Sequence, residues 1–160
     1  MLNFNPSTKH YYSPEIGVSI ELPTNWQECD RYSQGVMYGC QNGDRYPPKL
    51  LVQIVPLPPS ISREAGSPNR YDTLAKKLLK LQPPSRPIRD RQYLEIDSCR
   101  ARIDTVTFDD PEFHVSVTHY QVCIQRDNLL LYGVIGMVET RSASTYLPIF
   151  AAATQSIRFI

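Results

Sequence analysis

The residues best suited to chemistry stand in one short string, Asp109-Asp110-Pro111-Glu112-Phe113-His114, with His119 close behind. Three carboxylates and an imidazole at a hairpin tip are the donor set of a hard or borderline divalent cation. Asp109, Asp110, Glu112 and His114 are therefore a candidate metal site for manganese, calcium or zinc. The same string also has the composition of an ordinary solvated turn, since Asp and Pro favour turn positions, and spacing alone leaves both readings open. Cys123 and His119 stand four apart on one strand, a thiol and a base that fall on the same face unless a bulge intervenes, but no third group is placed to orient them. Gly133 and Gly136 lie inside an apolar run with none of the Lys-Ser/Thr that a phosphate loop requires, and are expected to let a helix pack closely over a sheet. No Gly-x-Ser-x-Gly nucleophile elbow occurs. The expectation is a protein that is not an enzyme and carries no cofactor.

Charge supplies the second candidate. The 17 basic and 16 acidic side chains leave a formal charge of +1 over 160 residues. That balance argues against nucleic acid as a partner, because such affinity comes largely from neutralising phosphates. The charge is nevertheless uneven. Between Lys76 and Arg102 the basic residues Lys76, Lys77, Lys80, Arg86, Arg89, Arg91, Arg100 and Arg102 face only Asp90, Glu95 and Asp97. Such a surface steers an acidic protein partner or anionic lipid headgroups. Lys76, Lys77, Lys80, Arg89, Arg91 and Arg102 are accordingly the expected partner-binding residues.

Apolar residues at 41% and charged residues at 21% place the chain among globular proteins. The longest apolar run, Leu129 to Val138, is about half the ~20 residues of a membrane-crossing helix, so no transmembrane segment is expected. The N-terminus, Met1-Leu2-Asn3-Phe4-Asn5-Pro6, shows neither the basic nor the apolar region of a signal peptide, so a cytoplasmic location is expected, with peripheral membrane association or a trimmed leader left open. Cys29, Cys40, Cys99 and Cys123 have no Cys-x-x-Cys spacing and read as mostly buried thiols.

The elements that must position these groups are punctuated by 14 prolines, clustered at Pro47-Pro48, Pro56 to Pro59 and Pro83 to Pro87. Gly17 to Leu22 alternates with period two and stops at Pro23, the pattern of a half-buried strand. Val36 to Cys40 and Lys49 to Val55 read as a strand pair turned at Gln41-Asn42-Gly43-Asp44, where Asn-Gly is a strong hairpin signal. Tyr71, Leu74, Ala75, Leu78 and Leu81 fall on one helical stripe, with Asn69 or Asp72 as N-cap and Pro83-Pro84 as the stop. Four strands follow, Arg91 to Ile96, Arg100 to Phe108, Phe113 to Gln125 and Asn128 to Val138. Their short connections suit antiparallel hairpins. The last of them is apolar on both phases and should lie centrally. A switch of apolar phase within Phe113 to Ile124 predicts a bulge near Thr118-His119. Tyr146, Ile149, Phe150 and Ala153 predict a closing helix over Ser142 to Ser156, with Pro148 in its first turn. Trp26, after Leu22-Pro23, reads as a core plug. Strands, helix, antiparallel strands and helix in that order predict an α+β fold, an α-β-α sandwich around a mainly antiparallel sheet, as one domain over residues 1–160.

Two stretches carry a family likeness. Tyr12-Ser13-Pro14-Glu15-Ile16-Gly17-Val18-Ser19-Ile20-Glu21-Leu22-Pro23-Thr24-Asn25-Trp26 resembles the first strand of the superfamily that joins the photosystem II extrinsic subunit P (PsbP), the Ran-binding nuclear import factor and the bacterial DcrB-type proteins. Tyr146-Leu147-Pro148-Ile149-Phe150, followed by Gln155-Ser156-Ile157-Arg158-Phe159, resembles their C-terminal helix and its exit into a short strand. The resemblance implies an α-β-α sandwich used mainly as a non-catalytic scaffold. By that implication the chain is a protein-interaction domain serving assembly, stability or chaperone-like tasks, photosystem-related or secretion-related. The alternative expectation is a small-ligand or divalent-metal-binding protein using the Asp109–His114 tip or a pocket between helix and sheet.

Overall fold

The computed structural model describes residues 7–56, 84–127 and 130–160. The described strands are β1 (Thr8–Ser13), β2 (Val18–Pro23), β3 (Gln27–Tyr32), β4 (Gly35–Gly39), β5 (Lys49–Pro56), β6 (Arg86–Pro87), β7 (Gln92–Ile96), β8 (Cys99–Asp109), β9 (Ser116–Gln125), β10 (Leu130–Glu139) and β11 (Arg158–Phe159). A 3-10 turn over Thr140–Ser142 leads into the helix α1 (Ala143–Gln155). Among the described residues the large sheet runs β3-β4-β5-β10-β9-β8-β6, with β7 also paired to β8, and a small sheet runs β1-β2-β11. Every pairing is antiparallel. The α+β class is met; the helix expected over Tyr71 to Leu81 lies outside the described residues.

The alternation in Val18 to Leu22 sends Val18, Ile20 and Leu22 into the core, all nearly inaccessible to solvent. They meet Trp26, Tyr38, Leu50, Val52, Tyr120, Val122, Val134 and Phe150 between the small sheet, α1 and one face of the large sheet. Trp26 is the expected plug: 1% exposed, its ring stands edge-on to Phe150 at 6.2 Å, and Tyr11 donates a 2.6 Å hydrogen bond to its carbonyl. The centre of this packing is Gly136. A Cβ there would lie 2.5 Å from the Phe150 ring, so only glycine lets the helix settle at this depth. Gly133, expected to serve the same purpose, instead faces the other side of the sheet beside Gln53 and Val55.

Several expectations are corrected. β9 pairs without interruption to both β8 and β10, so there is no bulge at Thr118-His119. Both phases of the strand are buried, so its apolar residues need not keep to one face. A register shift sits instead between Glu28 and Asp30 in β3. β4 and β5 do pair, but the connection spans residues 40–48, because Asp44 is drawn away to Arg141 and Ser142. The two-residue hairpin is Asp97-Ser98 between β7 and β8, with φ of 46° and 64°. Pro148 lies one turn deeper into α1 than expected. It is exposed, as is Ser144 four residues earlier, so water can take the carbonyl left without its helical donor. β1 and β3 are strands that apolar periodicity did not announce, since their residues are mostly exposed.

The Gly136–Phe150 contact yields a stability contrast. Gly136→Ala should cost about 1–3 kcal/mol by overpacking. Gly133→Ala, whose Cβ meets flexible Gln53 atoms at 3.4 Å and beyond, should cost less. Equal losses of unfolding free energy in urea titrations would contradict this account of the helix seat.

Candidate functional site

The turn after β8 was the first candidate. Asp110 Oδ1 accepts the backbone N–H of Glu112 at 2.9 Å and of Phe113 at 2.8 Å. Its own N–H goes to the Val115 carbonyl, and its carbonyl takes the His114 N–H, both at 2.9 Å. His114 adopts a φ of 54°, and the Phe113 ring stands edge-on to Tyr46 at 5.4 Å. Asp110 thus caps its own loop, as Asp does in an ordinary turn. Among the described residues no three of His, Cys, Asp and Glu form a group that would hold a metal ion. The structure thus places Asp110 in its own turn and does not bring Asp109, Asp110, Glu112 and His114 together as one set of ligands.

His119 lies on β9, on the face opposite α1, its ring edge-on to Phe108 at 4.7 Å. Burial pushes its pKa down to about 4, against a smaller opposing pull from Asp110. Cys123 shares that face, as the unbroken register requires, and stands four residues along the strand from His119. No disulfide joins the cysteines; Cys40, Cys99 and Cys123 are buried and Cys29 is exposed.

The second candidate was the basic surface. Lys76, Lys77 and Lys80 lie outside the described residues. Arg102 is wholly buried, with Nε 2.7 Å from Asp104 Oδ2. It therefore does not stand on a contact surface, because the strand alternation of β8 turns it onto the sheet face opposite α1. Arg91 reaches the same carboxylate, Nε to Oδ1 at 3.3 Å, from an exposed position. The stretch 86–93 remains, every residue of it exposed. It presents Arg86, Arg89 and Arg91 against Asp90, with Ile88 45% and Tyr93 53% accessible. β6 holds one end of this rim to Thr107 and Val106, Ile88 donates to the Thr105 carbonyl at 2.9 Å, and β7 holds the other end to β8. A groove of about 350 Å³ beside Tyr93 and Arg100 borders it. The rim is a basic edge held at both ends to β8, with two large apolar side chains.

Sequence reasoning missed a clamp at the start of α1. Arg141 reaches Glu139 at 2.7 Å and Asp44 at 2.8 Å, and Ser142 donates to Asp44 at 2.6 Å. The Ser142 hydrogen bond is the largest of the influences that hold the Asp44 carboxyl below its usual range. Its partners are nearly a hundred residues apart in sequence, a distance over which no local pattern signals. A cleft of about 600 Å³ lies near Gln27, Glu28 and Lys49, and another of about 450 Å³ between β2 and α1.

This architecture has solved counterparts. LpqN of Mycobacterium tuberculosis, described as involved in cell envelope biogenesis, superposes with a TM-score of 0.65 at 12% identity, covering 94% of this chain and 89% of that one. The Ran-binding protein Mog1p of Saccharomyces cerevisiae gives 0.63 at 6%, covering 97% and 96%. Cyanobacterial PsbP (CyanoP) from Synechocystis gives 0.62 at 10%, covering 100% and 96%. The chain has the PsbP/Mog1 fold. It spans 48% of a longer Bacteroides thetaiotaomicron chain that it also matches. No protein-family model matches the sequence, and no curated protein does. The likeness expected from Tyr12–Trp26 and Tyr146–Phe159 is thus met at the level of fold. Among the described residues no helix is long and apolar enough to cross a membrane.

His119 gives this region a pH signature. Its folded pKa is depressed below the ordinary 6.5, so the unfolded chain binds the proton first. Stability is then present above pH 6.5 and is lost as pH falls toward 4, by at most about 1.4 kcal/mol per unit. His119→Gln should flatten that part of the stability–pH curve; an unchanged slope in urea titrations from pH 4 to 7 would refute the assignment.

Proposed function

We propose that this chain is a non-catalytic protein-interaction domain that captures an acidic protein partner along the Arg86–Tyr93 rim. The observation that carries this reading is the unbroken exposure of that stretch, with three arginines interleaved with Ile88 and Tyr93 on a backbone held to β8. Arginine and tyrosine are the residues that most often anchor interfaces, and a pre-ordered edge loses little entropy on binding. The basic charge speeds encounter with an acidic partner. The side chains with chemical potential are engaged internally: Asp110 caps its turn, Arg102 and Asp104 pair, and His119 is buried. That a protein of this fold is Ran-binding agrees with a scaffold that presents a surface to another protein. An assembly or chaperone-like role is the form this function takes, with the chain acting as one domain.

The test is affinity capture from the native lysate at two salt concentrations, with the wild type beside Arg86→Glu/Arg89→Glu. The wild type should retain acidic proteins that the reversed variant loses, with capture weakening as salt rises. Identical captured sets, or capture indifferent to salt, would remove the rim from the function.

A further inference from the structure

The strand β1 lies at the edge of the small sheet. Its backbone parity follows from the ladder. The Thr24 N–H donates to the Ser7 carbonyl at 3.0 Å, so Ser7 and Thr24 form a hydrogen-bonded pair. By alternation Lys9–Leu22, Tyr11–Ile20 and Ser13–Val18 are hydrogen-bonded pairs as well. Across β2 the Glu21 N–H goes to Ser156 Oγ at 2.8 Å, away from β1, which is the same parity. The backbone groups of Thr8, His10 and Tyr12 therefore point outward, and the described residues give them no hydrogen bond. All three side chains are exposed, Tyr12 by 67%.

One edge of the large sheet is guarded. β3 carries a register shift at Cys29, and Asp30 Oδ1 takes the outward N–H of Arg31 at 2.8 Å. Bulges and inward-turned caps are the usual protection against strand addition. Among the described residues β1 has neither bulge nor cap: its register is continuous over six residues, it contains no proline, and Thr and Tyr are suited to an extended backbone.

We propose that β1 accepts an extended peptide segment of a protein partner as an added antiparallel strand, with a carboxylate of that segment opposite Lys9. The charge pattern selects this occupant. His10 is already held by Glu21, Nε2 to Oε1 at 2.6 Å, whereas the Lys9 ammonium lies 5.1 Å from the Tyr11 ring centre and has no carboxylate among the described residues. An added strand places one of its side chains across from Lys9 and the next on that face across from Tyr11, so an acidic residue two positions from an apolar one fits the row. A second copy pairing antiparallel about His10 would set Lys9 against Tyr11 and offer no carboxylate. This inference goes beyond the basic rim, which lies on the other sheet.

The test uses the full chain and the acetylated, amidated peptide Ser-Thr-Val-Thr-Glu-Thr-Ser. In the free protein the amides of His10 and Tyr12 should exchange quickly with solvent while those of Lys9 and Tyr11 are protected. Adding peptide should protect His10 and Tyr12 selectively. His10→Pro removes a donor that the β1–β2 ladder does not use, so it should leave the fold intact and weaken peptide binding at least about tenfold, while His10→Ala retains it. Lysine in place of the peptide's glutamate should weaken binding, and Lys9→Glu should restore it. Arg86→Glu/Arg89→Glu should bind the peptide as the wild type does, whatever its effect on capture. Unchanged exchange at His10 and Tyr12 in the unaltered protein would overturn the proposal, as would undiminished binding by a folded His10→Pro. Self-association without peptide binding would overturn it in favour of a second copy.

Discussion

The fold depends on how deeply one helix sits. Phe150 rests on the bare backbone of Gly136 in β10, and from that seat its ring meets Trp26 between β2 and β3 and lies 6.4 Å from Tyr120 on β9. One aromatic side chain thus connects the helix, the link from β2 to β3 and two central strands of the large sheet. Packing of this kind is unforgiving, because interiors are close to crystalline density and a misfit of one methyl group must be absorbed by backbone. It also fixes the chain's exit. With α1 seated, Ser156 falls beside Glu21, and Arg158 and Phe159 complete the small sheet against Ser19 and Val18. The geometry of the β1 edge is inherited from this contact.

The two faces of the large sheet obey different rules. The face under α1 is apolar and packs by shape. The opposite face buries Arg102, His119 and Gln121 among Leu131 and Cys123. A buried guanidinium is tolerable only with a well-placed anion, and Asp104 provides one by bridging Arg102 and the exposed Arg91. Charge that reads in sequence as a continuous basic surface is therefore divided by strand alternation, part turned inward and neutralised and part left on the rim.

What was legible in the residues follows from this division. Val18 to Leu22, Lys49 to Val55 and the run of strands from β7 to β10 were readable because each carries its own apolar pattern or a short turn. The final helix was readable from Tyr146, Ile149, Phe150 and Ala153. β3 was not, because Gln27 to Tyr32 is exposed throughout and has no apolar phase. The absent bulge in β9 is the reverse case: two buried faces remove the alternation from which register is read. In the candidate sites, Asp110 and Arg102 have the right chemistry at the right spacing, and only three-dimensional placement shows that one serves its own turn and the other a buried pair. The Asp44–Arg141 contact spans nearly a hundred positions and leaves no local trace.

Edge strands link these observations to function. A sheet that is not closed into a barrel must leave edges, and each exposes donors and acceptors that invite pairing. Here one end of the large sheet is deterred by a bulge and an aspartate cap, and the other is interrupted at Pro87 and dressed with arginines. Among the described residues β1 carries Lys9 but no bulge, proline or aspartate cap, although it is continuous and exposed. Protection at one edge and its omission at another, within one molecule of 160 residues, is a difference that fold stability alone does not require. An edge kept open at the risk of aggregation is most simply explained by a partner that closes it.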